Sequence, residues 1–298
     1  MAILVAGASG FLGRRLVRRL SASGREVLAL TRRQVPDELQ KLPGVRWLAR
    51  DIARDGLDVA ALPQIDAVLH LAGTTLGAGK DEAMFLNANE QTTLRLCQAM
   101  SERIRRFIFT SSQVVYGDAR DLAVNEDFPL HPEASAYACS KVNGENWLRW
   151  FQKRHGGQYL ALRLSGFIEG GGIIDYLIDK ALSGQTIELF ANGEVRRDYL
   201  PAEEAIDVLV AALEYQGSEG FMPVNIGSGQ AISAQVLATL ICDELQSTSP
   251  IRLLDSPSPQ GDFVFSIDKA GRLFNFYPGK LADAIRSYAR QRKEGVAR

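Results

Sequence analysis

Ile3-Leu4-Val5-Ala6-Gly7-Ala8-Ser9-Gly10-Phe11-Leu12-Gly13 is the stretch that decides the fold. An apolar run ends in a glycine triplet and passes into Phe11 to Leu20. There Leu12, Leu16, Val17 and Leu20 form a helical stripe with arginines opposite. Each glycine has a separate reason to be there. Gly7 permits a tight turn, Gly10 lets a pyrophosphate approach the backbone, and Gly13 lets helix and strand pack closely. The helix N-terminus then offers amide donors and a positive dipole end to phosphates. With Ser9, Phe11 and Leu12, the three glycines make a candidate dinucleotide-binding loop.

A glycine triplet is weak evidence unless it stands at the first strand-to-helix turn of an alternating pattern. It does so here. Further strand-like runs are Glu26–Leu30, Val45–Ala49, Ala67–Leu71, Phe107–Phe109 and Tyr159–Arg163, and helical patterns cover 81–100 and 137–151. Nearly continuous apolar strands suit a parallel sheet buried on both faces. The reading is α/β: a Rossmann-like doubly wound parallel sheet with a smaller α/β C-terminal substrate lobe. Residues 1–165 are expected to form the dinucleotide-binding domain, with segments at about 197–227 returning to it, and 166–298 mainly the lobe.

Composition narrows the function. The 298 residues carry 34 Lys and Arg against 35 Asp and Glu, a net charge of −1 that argues against a general nucleic-acid binder. No apolar run approaches the roughly 20 residues of a membrane span. The N-terminus has no basic region of the signal-peptide kind, so a cytoplasmic protein is expected. Three cysteines and three histidines lack ligand spacing, so no metal site is expected. Cys97, Cys139 and Cys242 are expected to fill core space. His70 is expected to pack or to bond backbone, and Trp147 with Trp150 to form a packing patch.

The end of the second strand bears on which dinucleotide binds. An acidic residue about 20 positions past the loop would bind a ribose 2′-hydroxyl and favour NAD. The sequence has Thr31-Arg32-Arg33 there instead. Two guanidinium groups suit a 2′-phosphate, so NADP is expected, with NAD as the other possibility. Asp51 could accept a hydrogen bond from the adenine amino group.

Tyr137 and Lys141 stand four apart, on one face of a helix. An ammonium beside a phenol lowers its pKa from about 10 toward neutrality and makes the tyrosine a general acid or base. Thr110-Ser111-Ser112 follows the fifth strand, where side chains face the ligand crevice of such a sheet. Ser112 can position a reacting oxygen.

Taken together the chain resembles an extended short-chain dehydrogenase/reductase of the NAD(P)-dependent sugar epimerase/dehydratase family. The matching residues run nearly end to end. They are Gly7/Gly10/Gly13, Asp51-Ile52, His70-Leu71-Ala72-Gly73, Asn89, Ser111-Ser112 with Val115-Tyr116-Gly117, Tyr137 with Lys141, Arg197-Asp198-Tyr199 and Asn225-Ile226-Gly227-Ser228-Gly229. The resemblance implies a catalytic Ser112, Tyr137 and Lys141. It adds Ile52, Leu71, Ala72, Gly73, Asn89, Tyr137 and Lys141 to the cofactor contacts, and makes Ser112, Gln113 and Arg197 the substrate contacts. It also implies a homodimer and a nucleotide-sugar substrate.

Departures from the family pattern narrow the reaction. The 4,6-dehydratases place an Asp-Glu pair where this chain has Gln113 and Val114, so dehydration is not expected. Val114 also replaces the cysteine of the epimerase/reductases that make GDP-fucose. What remains is reduction of a keto-sugar, of the 4-keto reductase type, or 4-epimerisation, with a non-catalytic dinucleotide-binding protein as the third reading. The run Ser256-Pro257-Ser258-Pro259-Gln260-Gly261-Asp262 lacks an arginine that many nucleotide-sugar members carry there.

Overall fold

In a computed structural model of the protein, residues 2–75, 77, 79–258 and 261–295 are described. Pro259 and Gln260 of the arginine-free run lie outside the described residues, as do Met1, Leu76, Ala78 and 296–298.

The main sheet has seven strands: β1 (Ala2–Ala6), β2 (Glu26–Thr31), β3 (Val45–Ala49), β4 (Ile65–His70), β5 (Arg106–Ser112), β6 (Gln158–Leu164) and β7 (Gly220–Ile226). Their order is β7-β6-β5-β4-β1-β2-β3. The pairs β1–β2, β2–β3, β1–β4 and β4–β5 are parallel. The order reverses at β1, between β2 and β4, and such a switch point opens a crevice beyond the carboxyl ends of the strands. Every residue of β6 is buried, as are four of five in β1, which is why these strands read as continuous apolar runs.

Helix α1 (Phe11–Ala22) follows β1 and buries Gly13, Leu16, Val17 and Leu20. Each buried leucine contributes about 1.5–3 kcal/mol. Helix α2 (Thr92–Met100) is shorter than the sequence pattern suggests. Before it run one α-turn (Glu82–Phe85) and a π-helical segment, Leu86–Gln91. The threonines that follow the segment take up its carbonyls: the Thr93 hydroxyl donates to Asn89 O (2.6 Å) and that of Thr92 to Asn87 O (3.3 Å). Helix α3 (Ala136–His155) starts on Ser135, whose hydroxyl accepts from Ala138 N at 3.0 Å. It ends at Gly156, at φ +74°, with Lys153, Arg154 and His155 in its last turn.

The chain divides into two compact units. The first comprises residues 1–117, 129–163 and 206–224; the second comprises 118–128, 164–205 and 225–298. Each has a core of its own. In the first, Leu4, Leu28, Val68, Leu96, Phe107, Leu148 and Tyr159 cluster around the sheet. In the second, Leu177, Ile178, Leu237, Ile241 and Ile285 join the helices Ile173–Leu182, Ala234–Leu245 and Leu281–Lys293. A four-stranded sheet, ordered Ile232–Ser233, Arg196–Arg197, Phe263–Phe265, Asp121–Val124, also belongs to the second unit.

Candidate active site

The loop after β1 has the geometry its glycines predict. Gly7 sits at φ +83°, and a Cβ on it would stand 2.6 Å from Ala72 N. A Cβ on Gly13 would fall 2.1 Å from Gly7 O. Gly10 is the extended residue before α1. No side chain caps this helix, and its first turn holds no acidic residue. A bare helix start beside close-packed glycine backbone fits a dinucleotide pyrophosphate.

The carboxyl ends of the neighbouring strands bring the other expected cofactor residues into the same unit. Beyond β2, the hydroxyls of Ser9 and Thr31 bond at 2.5 Å, and Thr31 Oγ1 accepts from Arg33 N at 3.0 Å. Arg32 and Arg33 are exposed. The Arg32 guanidinium lies 3.8 Å from Asp51, which also caps the short helix Ile52–Asp55. Ile52 is buried. After β4, Leu71 N donates to Ala6 O at 2.9 Å. Ala72 crosses over Gly7, and a Cβ on Gly73 would stand 2.8 Å from Asn89 Oδ1. Asn89 is 2% exposed. It accepts from Thr74 N (2.7 Å) and donates to Thr74 O (3.1 Å) and Ser140 Oγ (2.9 Å).

Tyr137 and Lys141 lie on one face of α3, as their spacing predicts. Both are buried, at 7% and 6% exposure, and the Lys141 ammonium is 5.8 Å from the centre of the Tyr137 ring. Lys141 donates to Thr110 O at 2.8 Å and sits 4.8 Å over the Phe109 ring. One expectation is corrected here. In the protein alone the phenol is not drawn toward neutrality. Burial pushes Tyr137 up to about 12, and the Ser112 hydroxyl bonded to it pulls only partly the other way. Burial also lowers Lys141 to about 8, against the field of Glu145 that holds its proton. At neutral pH the pair is therefore a phenol and an ammonium.

Ser112 ends β5, and Gln113 follows in a 3₁₀ turn (Gln113–Tyr116). The Gln113 Oε1 is buried and finds no donor among the described residues. His70 is fully buried, shares a 2.8 Å hydrogen bond with Thr93, and is held neutral by burial and by the Lys141 charge. It packs against the Phe107 and Phe109 rings, as expected, while its hydrogen-bond partner is a side chain and not backbone. Cys139 departs from expectation: it is exposed, about half a turn around α3 from Tyr137, and accepts from Asn143 Nδ2 at 3.7 Å. Cys97 and Cys242 are buried as expected.

Periodicity gave no sign of a buried ionic network behind Ser112. Glu145 and Arg163 form a bidentate pair at 3.0 and 2.7 Å, with their side chains 1% and 2% exposed. Ser111 Oγ donates to Glu145 at 2.6 Å, and Arg163 donates to the Tyr116 hydroxyl at 2.7 Å. The one available signal was the charge at Arg163 in an otherwise apolar strand.

In the second unit, Arg197 donates to Gly261 O at 2.9 Å and lies 5.3 Å over the Phe263 ring. Arg196 beside it clasps Asp262 at 3.0 and 2.6 Å. Asp198, 1% exposed, accepts from Ser228 N, Ser228 Oγ, Gly229 N and Phe265 N at 2.6–3.3 Å. The family-like Arg-Asp-Tyr run thus joins the Asn225–Gly229 turn through its aspartate. Among the described residues no cluster of His, Cys, Asp or Glu could hold a metal, and no helix is long and apolar enough to cross a membrane.

The chain is similar to known proteins over nearly its whole length. The chain is 28% identical to a dTDP-4-dehydro-6-deoxy-D-allose reductase of a Streptomyces species, across 97% of this chain and 95% of the relative. It is 27% identical to a putative UDP-glucose 4-epimerase of Methanocaldococcus jannaschii, across 92% and 88%. Among solved structures, UDP-glucuronic acid 4-epimerase from Bacillus cereus in complex with NAD superposes with a TM-score of 0.86 at 26% identity, over 99% of this chain and 100% of that one. The model of the NAD dependent epimerase/dehydratase family matches residues 3–227, three quarters of the sequence, and the chain belongs to that family.

Proposed function

We propose that this enzyme, a nucleotide-sugar reductase or epimerase, is an NADPH-dependent 4-keto reductase. The observation that carries the reading is the pair Arg32 and Arg33 directly after β2, in place of the acidic residue that would bind a ribose diol from the end of that strand. Two exposed guanidinium groups there suit a 2′-phosphate, and a freely exchanging NADPH suits net reduction.

In this proposal the Gly7–Gly13 loop, with Ser9, Phe11 and Leu12, binds the pyrophosphate. Asp51 and Ile52 border the adenine, and Leu71, Ala72, Gly73 and Asn89 border the rest of the dinucleotide. When bound, the nicotinamide supplies the hydride at its C4. Tyr137 holds its proton at neutral pH and gives it from Oη to the carbonyl oxygen as that oxygen gains charge. Ser112 orients the same oxygen. Lys141 keeps a positive charge beside the phenol, which favours the phenolate left after transfer. Gln113, with its buried and unpaired Oε1, accepts from a sugar hydroxyl. Arg197 is the phosphate contact of this proposal. A homodimer paired through α2 and α3, where Trp150 is half exposed, belongs to the same proposal.

The second reading is a 4-epimerase, favoured by the match to an epimerase solved with NAD. One titration separates the two. The protein is titrated with NADPH and NADH, as wild type and as Arg32→Ala/Arg33→Ala. A strong NADPH preference that drops at least about tenfold in the double variant is the expected result. Equal affinities, or NAD retained through purification, would put the epimerase first.

A further inference from the structure

Three residues of α3 stand at successive helical turns on one face: Tyr137, Lys141 and Glu145. All three are buried, at 7%, 6% and 1% exposure. The first two carry the proposed chemistry, and the third carries a full negative charge in the interior. A buried carboxylate is expensive unless it is paired. Glu145 is paired from two directions. Arg163 reaches it from β6 with two hydrogen bonds, at 3.0 and 2.7 Å. Ser111, next to Ser112 on β5, donates to it at 2.6 Å. Arg163 is held in turn by the Tyr116 hydroxyl at 2.7 Å.

We propose that Glu145, clamped by Arg163, is a positioning residue for the Tyr137–Lys141 couple: its carboxylate holds the Lys141 ammonium charged and, through Ser111, fixes the strand end that presents Ser112. The proposal rests on the reading of Tyr137 and Lys141 as catalytic. Burial lowers Lys141 to about 8, and the Glu145 field acts in the opposite direction.

The other groups around Lys141 do not replace Glu145. On α3 itself Tyr137 is neutral at this pH. From β4, His70 is uncharged. From β5, Lys141 meets Thr110 O and the Phe109 ring. From β6, Arg163 is a cation and bonds Glu145 and the Tyr116 hydroxyl. Tyr116, in the turn after β5, is engaged by Arg163. Glu90, in the π-helical segment, bonds Asn143, two positions along the helix and away from the Lys141 face. On the turn before α3, His131 and Glu133 form an exposed pair, and Arg95 of α2 is exposed.

The test is a titration of Lys141 itself. The full-length protein is labelled at lysine Cε with ¹³C, and the Lys141 signal is assigned by its loss in Lys141→Met. In Glu145→Gln the Lys141 midpoint is expected to fall by about one pH unit or more, as for a charge removed from one helical turn away. The alkaline limb of turnover in the cofactor-loaded enzyme should move in the same direction. A role confined to structure would lower the melting temperature and leave the Lys141 midpoint in place.

Glu145→Gln removes the carboxylate that Arg163 clasps in the interior and could unfold the protein. The double variant Glu145→Gln/Arg163→Met removes both charges. In it the Lys141 midpoint should still fall, because the carboxylate field that favours the ammonium is gone. A Lys141 midpoint within about 0.2 unit of wild type in whichever variant folds would overturn the proposal. Wild-type turnover in Lys141→Met would instead overturn the catalytic reading beneath it, a separate failure that the titration does not share.

Discussion

Lys141 is held in an environment that costs stability. Its ammonium is buried, makes one protein hydrogen bond to a backbone carbonyl, and titrates at about 8, below the ordinary 10.5 of a lysine. The folded state therefore binds fewer protons than the unfolded chain between about pH 8 and 10.5. Through that window wild-type stability rises with pH; below it the full penalty applies. Lys141→Met, similar in volume and uncharged, is expected to stabilise the protein by about 1–3 kcal/mol at pH 7. The lower end allows for the partner lost at Thr110 O. The gain should fade as pH rises from 8 to 10.5. Urea midpoints at pH 7 and pH 10 check this, and a variant less stable than wild type at pH 7 would refute it. The same substitution should lower turnover by about 10²–10⁴-fold if Lys141 supports the proton transfer. More stable and less active is the pattern expected of a residue placed for chemistry and not for packing.

At the scale of elements, the β1–loop–α1 unit depends on backbone approaching backbone. An alanine Cβ at position 13 would stand 2.1 Å from Gly7 O and 2.8 Å from the Ala8 backbone, so the helix must move off the strand. Gly13→Ala is expected to cost about 1–3 kcal/mol and to weaken dinucleotide binding at least tenfold. Gly24→Ala, after the end of the same helix, is the control. It has φ +71° and open space around it, so it should cost about 1 kcal/mol of backbone strain and leave binding unchanged. Thermal melts with a dinucleotide titration distinguish the two; equal binding losses would show that the contact at Gly13 does not matter. Elements such as this were legible because periodicity and glycine spacing are local signals. The strands β1 to β6 and the helices α1 and α3 lie within a few residues of the apolar runs that predict them. The π-helical segment around Asn89 was not legible. Its register depends on Thr92 and Thr93 hydroxyls taking up carbonyls, which leaves no trace in the apolar pattern. Glu145 with Arg163 was hidden for a related reason: the two are 18 residues apart, and only the fold brings them together.

On the scale of the whole chain, two units with separate cores imply two separable stabilities. Asp198 is the test of the second. Both of its oxygens face donors: Oδ1 meets Ser228 N and Oγ, and Oδ2 meets Gly229 N and Phe265 N. In Asp198→Asn, either orientation of the amide points an NH₂ group at a backbone N–H in a buried site. Unsatisfied or opposed donors of this kind cost about 1–3 kcal/mol each. The loss should be confined to the unit that contains them. In hydrogen exchange, amides of 225–229 and 263–265 are expected to lose protection in the variant, while those of β1, β2 and β4 keep theirs. Uniform loss across both units would mean that they open as one, and the two cores would then be a single cooperative body despite their separate packing. A confined loss would show that the substrate-lobe half can loosen while the proposed dinucleotide half stays folded. In that case NADPH binding by Asp198→Asn should match wild type even as turnover falls.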